Sequence, residues 1–235
     1  MRPLIKRLLS VFRTIASPTR QRVFCISMQR TGTTSVGKFL RDFGYRTAGW
    51  NEDYQNDWSG HWYDGEYEEI FSSVDFRTAN AFEDSPWWMP GFYRVVFNRF
   101  PSSKFILFTR NPDAWFRSML SHSNGNIIGG SQVHCRIYRR ELEYYDLLKS
   151  GQIVEHTDNQ VYSKKTMKIT VEHAEHYKAA YRLHNEEVQD FFARNSPISL
   201  HVGELEDPDK WEKLGRFLGF EIPPGYDSHE NATPS

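Results

Sequence analysis

Two kinds of apolar spacing alternate along this chain. Val23–Ser27 and Lys104–Thr109 are short, nearly unbroken apolar runs of the kind that form strands buried on both faces of a parallel sheet. Ile198–Val202 reads as a late strand, and Arg77–Phe82 as a shorter and less apolar one. Between them the spacing turns helical. Thr33–Phe43 places Val36, Phe39 and Leu40 on one side and meets a stop at Gly44, and Asn111-Pro112-Asp113 opens a helix that runs through Met119. Val133–Leu148 and Val171–Phe192 carry longer helical patterns. Asp207-Pro208 starts a last helix through Trp211, Leu214, Phe217 and Leu218 that Gly219 ends. Strands alternating with helices predict an α/β fold: three layers, a mostly parallel central sheet with helices on both faces, and a ligand crevice at the carboxyl ends of the strands.

The segments outside these patterns divide the chain. Residues 1–21 form a basic tail in which Pro3 to Ala16 fit a short amphipathic helix, residues 22–222 form one domain, and residues 223–235 form a loose tail. Ala48 to Asp75, rich in Trp, Tyr, Asp and Gly, reads as an irregular excursion over one end of the sheet, with one short helix around Glu66–Ser72, able to touch a substrate. Lys149 to Thr170 reads as a polar loop or a small hairpin.

Charge changes this picture in one respect. The net charge of −1 hides an asymmetry, because no Asp or Glu precedes Asp42. The early cations lie in the tail and no nucleic-acid motif follows them, which argues against nucleic acid as a partner. A peripheral membrane contact through the basic tail stays open, as does a targeting peptide. No run reaches the length of a membrane span, so a cytoplasmic protein is the simplest reading. Cys25 and Cys135 give neither a disulfide framework nor a metal spacing, and the histidines, including His134, His156, His173, His176 and His184, find no partners for a metal site. Oligomeric state leaves no signal.

The candidate chemistry begins where the first strand ends. Arg30-Thr31-Gly32-Thr33-Thr34-Ser35 supplies a cation, a glycine that lets backbone approach an anion, hydroxyl donors and a helix N-terminus whose first N–H groups are free. That is a phosphate cradle. An ATP or GTP loop of the form G-x-x-x-x-G-K-[ST] is not present: Thr33 stands at the lysine position and Ser27 at the first glycine.

The run Arg30-Thr31-Gly32-Thr33-Thr34 resembles the 5′-phosphosulfate loop of sulfotransferases, enzymes that use 3′-phosphoadenosine 5′-phosphosulfate (PAPS) as donor. Arg110, at the end of the Lys104–Thr109 strand, and Ser118, eight residues later on the next helix, are similar to that family's grip on the donor's 3′-phosphate, a cation and hydroxyl pair able to converge on a dianionic phosphate. Glu83-Asp84-Ser85-Pro86-Trp87-Trp88 is similar to the Glu-Lys-[ST]-Pro-x-aromatic segment that carries the base in glycan-modifying members, with Asp84 where lysine would stand. The resemblance covers Val23–Gly44 and Lys104–Met119 and, more loosely, Ala79–Met89 and Tyr177–Gly219. It implies a P-loop-like sulfotransferase fold of the bacterial or carbohydrate type. It also implies transfer of a sulfuryl group to a hydroxyl or amine of a small-molecule or glycan acceptor, without a metal. Arg30, Glu83 and Asp84 are then the catalytic candidates, Glu83 and Asp84 sharing the claim to be the base. Arg30 to Ser35, Arg110 and Ser118 are the donor-binding candidates. An atypical nucleotide kinase and a non-catalytic nucleotide-binding module of the same fold are the alternatives.

Overall fold

The structure of the protein, a computed structural model, describes residues 21–122, 130–154 and 167–228. The residues before 21, most of the polar segment between Lys149 and Thr170, and the last seven positions lie outside the described residues. Five strands form the sheet: β1 (Val23–Cys25), β2 (Thr47–Ala48), β3 (Ala81–Phe82), β4 (Lys104–Thr109) and β5 (Leu200–Glu204). Their order is β2-β3-β1-β4-β5, and every pairing is parallel. The fold is the α/β architecture expected.

Strand side chains point alternately to the two faces, and both faces are apolar. Phe24, Phe82, Phe105 and Leu107 enter the larger core, where Phe24 and Phe82 stack with ring centres 4.7 Å apart. Val23, Cys25, Ala81, Ile106 and Phe108 enter the smaller core on the opposite face. Two helices close that second face: α1 (Thr33–Asp42) through Val36, Phe39 and Leu40, and the last helix, which follows β5, through Trp211 and Leu214. Phe39 stacks on Trp211 at 5.3 Å, which joins the first helix to the last.

Several elements depart from the sequence pattern, each for a local reason. The excursion after Ala48 is not irregular: it is α2 (Trp50–Asn56), α3 (Trp58–Asp64), α4 (Tyr67–Ser72) and α5 (Val74–Thr78) in succession. Buried Asp53 fastens the first two of these by accepting from the Ser59 backbone N–H and hydroxyl, both at 2.7 Å. The strand predicted over Arg77–Phe82 shrinks to Ala81–Phe82, because Ser73 caps α5 and draws Arg77 and Thr78 into a helix. The apolar, aromatic run Phe92–Arg99, to which the pattern assigned no element, is α6.

After β4 comes α7 (Pro112–Ser121), with the Asn111 side chain accepting from the Asp113 and Ala114 N–H groups. The single helix expected over Val133–Leu148 is two, α8 (Gln132–Ile137) and α9 (Glu141–Lys149), split at Arg139, whose backbone is left-handed. The next residue, Arg140, is buried and donates to Tyr177 at 3.1 Å and to Glu143 at 2.7 Å, which turns the chain inward at that point. The long α10 (Ala174–Asn195) and α11 (Lys210–Leu218) follow, and Gly219 ends the latter as the sequence indicates.

The tail expected to be loose from residue 223 is anchored as far as Ser228. The Tyr226 hydroxyl donates to Asp42 at 2.9 Å, the Ser228 hydroxyl donates to the Ser35 carbonyl at 2.8 Å, and the Trp211 indole donates to Asp227 at 3.1 Å. Tyr226 also meets Phe39 and Phe43 edge-on, so this segment completes the second core.

Candidate active site

The sheet order places the functional segments in a row along one edge. Because all five strands run the same way, their carboxyl ends lie together, and the connection from β1 to β2 leaves to one side while β4 lies on the other. Reading across that edge, Gly49-Trp50 follows β2, Glu83-Asp84 follows β3, the Gln29–Gly32 turn follows β1, Arg110 follows β4 and Leu205-Glu206 follows β5. A cavity of about 730 Å³ opens along the first three of these ends, between Arg30, Thr33 and Thr34 on one side and Arg41, Thr47 and Trp50 on the other, with Glu83 and Asp84 between.

The turn after β1 is held from every side. Ser27, fully buried, receives the Phe108 N–H at 2.7 Å and donates to the Ile106 carbonyl at 3.3 Å. The His184 ring donates to the Ile26 carbonyl at 3.0 Å, and the Trp115 indole donates to the Gln29 carbonyl at 2.9 Å. Burial pushes His184 down to about 4, so it is neutral in that role. Arg30 and Gly32 both have left-handed backbone, at φ 67° and φ 84°, on either side of Thr31. Such alternation turns successive N–H groups to one side, and Gly32 has no side chain to cap the helix N-terminus it opens. Leu205 packs on Gly32 so closely that an added Cβ would lie 2.6 Å from its methyl, which fixes the end of β5 against the turn.

The donor-binding candidates divide into two groups. Arg30, Thr33 and Thr34 line the cavity. The Thr31 hydroxyl is turned inward: it is fully buried and donates to the Met28 carbonyl, stabilising the turn and leaving the backbone N–H as the group this residue can offer. Ser35 is buried, and its carbonyl receives Ser228. Arg30 and Ser118 are brought together, Nε donating to Oγ at 3.1 Å, which ties the turn after β1 to the helix after β4. Arg110 lies beyond the cavity wall. Its Nε donates to Glu206 at 2.8 Å, and its backbone N–H donates to the Tyr181 hydroxyl at 2.7 Å. Burial first, and the neighbouring Arg110 cation second, lower the Arg30 guanidinium, while Asp84 opposes them. Two cations are therefore held within reach of one another's field.

The two carboxylate candidates differ in setting. Glu83 is buried, and its side chain occupies a notch between two glycines: an added Cβ on Gly37 of α1 would lie 2.8 Å from Glu83 Cγ, and one on Gly49 would overlap its carboxylate. Asp84 is half-buried, has left-handed backbone at φ 66°, and accepts from the Ser85 N–H at 3.0 Å. Burial raises its carboxyl above the usual range, against the opposing pull of Trp88, Ser85, His134 and Arg30. The Ser85 hydroxyl donates to Asp53 at 2.6 Å, so α2 anchors the Glu83–Ser85 segment.

The sequence pattern did not single out Gln29, Arg41, His122 or His134 as site residues, and all four line the cavity. His134 Nδ1 lies 2.8 Å from the Ser131 hydroxyl, and His122 is lowered by burial and by Arg30. Their spacing in the chain carries no motif. Only the meeting of α7 and α8 beside the β1 turn reveals them. Among the described residues no group of three His, Cys, Asp or Glu is arranged to hold a metal ion, and no helix is long and apolar enough to cross a membrane.

With this geometry in view, the comparisons with known proteins give the class. A family model described as a sulfotransferase domain matches residues 22–233, and the chain belongs to that family. Its span includes the anchored segment after residue 222. Among solved structures the chain is similar to the crystal structure of a sulfotransferase from Alicyclobacillus acidocaldarius, with 14% identity, a TM-score of 0.48, and coverage of 92% of this chain and 87% of that one. A search of curated proteins finds no match.

Proposed function

We propose that this protein is a PAPS-dependent sulfotransferase that moves a sulfuryl group to an acceptor hydroxyl or amine. The observation that carries the reading is the 3.1 Å bond from Arg30 to Ser118, which joins the two segments assigned to opposite ends of one donor. A ligand with phosphate groups at both ends of an adenosine fits this arrangement. The β1 turn offers N–H groups and Arg30 at one end, and Arg110 offers a second guanidinium on the adjoining strand, near enough to depress Arg30 by repulsion. An anion between such cations removes that repulsion.

When bound, the donor supplies an activated sulfuryl group and a phosphate leaving group. The rest falls to the chain. Glu83 or Asp84 takes the proton of the acceptor as its oxygen or nitrogen bonds to sulfur, and the bond from sulfur to the phosphate oxygen breaks with its electron pair leaving on the phosphate. Arg30, Thr33, Thr34 and the N-terminus of α1 meet the charge that grows there. The row of strand ends supports in-line displacement, since the carboxylates after β3 stand between the proposed acceptor side at β2 and the proposed donor side at β1 and β4.

The test is transfer itself. Incubation with donor labelled with sulfur-35 and pooled hydroxyl and amine acceptors yields labelled product with the native chain. Arg30→Ala lowers turnover by about 100-fold or more, as removal of an oxyanion-stabilising donor does, and the double change Glu83→Gln, Asp84→Asn abolishes it. Failure of the native chain to transfer label, together with phosphate transfer from magnesium–ATP, overturns the reading in favour of a kinase.

A further inference from the structure

Trp50 and Tyr54 stand on α2 as an aromatic pair that the fold does not bury. Their rings stack at 5.5 Å with 25° between planes, and they remain 56% and 48% exposed, whereas Trp58, Trp87 and Trp88 are buried to within 1%. The exposed indole gains its interest from position, because Trp50 is placed at the cavity wall. Its neighbour Gly49 abuts the Glu83 carboxylate, and the Gly49 N–H donates to Glu52 at 2.7 Å, which fixes the start of α2.

We infer that Trp50, braced by Tyr54, is the acceptor platform of this enzyme and that the acceptor it receives is a sugar ring. The inference rests on the sulfotransferase reading above and adds the substrate class. Position is the first argument. Trp50 follows β2, the edge strand, while Arg110 follows β4, three strand positions away at about 14 Å. The donor grip and the aromatic platform therefore lie on opposite sides of the β3 carboxylates, as a donor and an acceptor must. The second argument is the company the platform keeps. Arg41, Thr47, Asn51 and Glu52 surround it, all polar, with Arg41 donating to the Thr47 hydroxyl at 3.1 Å. One open aromatic face among hydrogen-bonding side chains suits a ring with an apolar C–H face and hydroxyls around its rim. A flat phenol would need apolar walls on both faces, and Trp88 and Met89, each 1% exposed, offer the cavity little more than their edges.

The experiment compares acceptors and variants with one donor. The native chain is supplied with sulfur-35 donor and either oligosaccharides (chitotriose, cellotriose, maltotriose) or phenols (4-nitrophenol, 2-naphthol), with affinity for 3′-phosphoadenosine 5′-phosphate measured alongside. The expected result is labelled sugar, a sugar KM about tenfold higher in Trp50→Ala with kcat within about twofold, partial recovery in Trp50→Phe, and unchanged nucleotide affinity. Label on phenols alone, or a sugar KM that Trp50→Ala leaves unmoved, overturns the inference while leaving the sulfotransferase reading intact. Loss of nucleotide affinity in Trp50→Ala would make the indole an adenine contact and equally overturn it. Label on neither panel, with nucleotide bound, also overturns it. Absence of nucleotide binding by the native chain defeats the parent reading instead.

Discussion

Asp84 carries two local costs at one position, a left-handed backbone and a buried carboxyl. Both fall on a carboxyl that lies within the field of Arg30 and His134. The sign of the consequence is fixed. Because the folded state raises this pKa, the ionised form is disfavoured on folding, so the group weakens the fold progressively as pH rises above its unfolded value and adds nothing below it. Asp84→Asn, which also tolerates the left-handed backbone, should raise the melting temperature at pH 8 and lose that advantage as pH falls toward the ordinary carboxylate range. An advantage independent of pH would contradict the assignment. The same amide, set against Glu83→Gln in the transfer assay, identifies the base as the position whose change abolishes transfer.

Residues that come together at the cavity were legible where chemistry and spacing coincide. Arg30, Thr33 and Thr34 were marked by their order around Gly32, and the cavity receives all three. Thr31 was marked by the same pattern and is consumed by the turn, since a hydroxyl at that bend finds the Met28 carbonyl first. The pairing of Arg110 with Glu206 could not be read in advance, because the two are 96 positions apart and meet only through the β4–β5 pairing.

Elements were legible in proportion to how fully both faces of each are buried. Lys104–Thr109 reads as a strand because nearly every side chain is apolar and enclosed. β2 has two residues and no pattern to detect, and the aromatic, β-branched run Phe92–Arg99 disguises a helix. The anchored segment after residue 222 is polar in sequence and holds through three side-chain hydrogen bonds and the single ring of Tyr226, too little to form an apolar stripe. At this scale α10 has a measurable task, since His184 fastens it to the strand end beneath the β1 turn. With its folded value near 4 and an ordinary value of 6.5, His184 stays neutral in the fold but charges in the unfolded chain. Its contribution is therefore whole above pH 6.5 and is lost as pH falls toward 4, at no more than about 1.4 kcal/mol per pH unit. Chemical denaturation at pH 7 and pH 5 should show this loss, and His184→Gln should reduce it. An identical pH slope in the variant would refute the role.

For the whole molecule, the alternation of strands and helices forecast the layers, while the order of strands was silent. That order carries the functional account. It sets Trp50, the carboxylates, the β1 turn and Arg110 in sequence along one edge, with a cavity of about 730 Å³ opening onto the first three. The central claim is that one donor spans the β1 turn and Arg110. Calorimetric titration of the native chain and Arg110→Ala with 3′-phosphoadenosine 5′-phosphate and with AMP tests it most directly. The account predicts that the native chain prefers the doubly phosphorylated ligand by about ten- to hundredfold, and that Arg110→Ala removes this preference while AMP binding stays the same. Equal affinity of the native chain for the two ligands, or a preference that survives in Arg110→Ala, would contradict it.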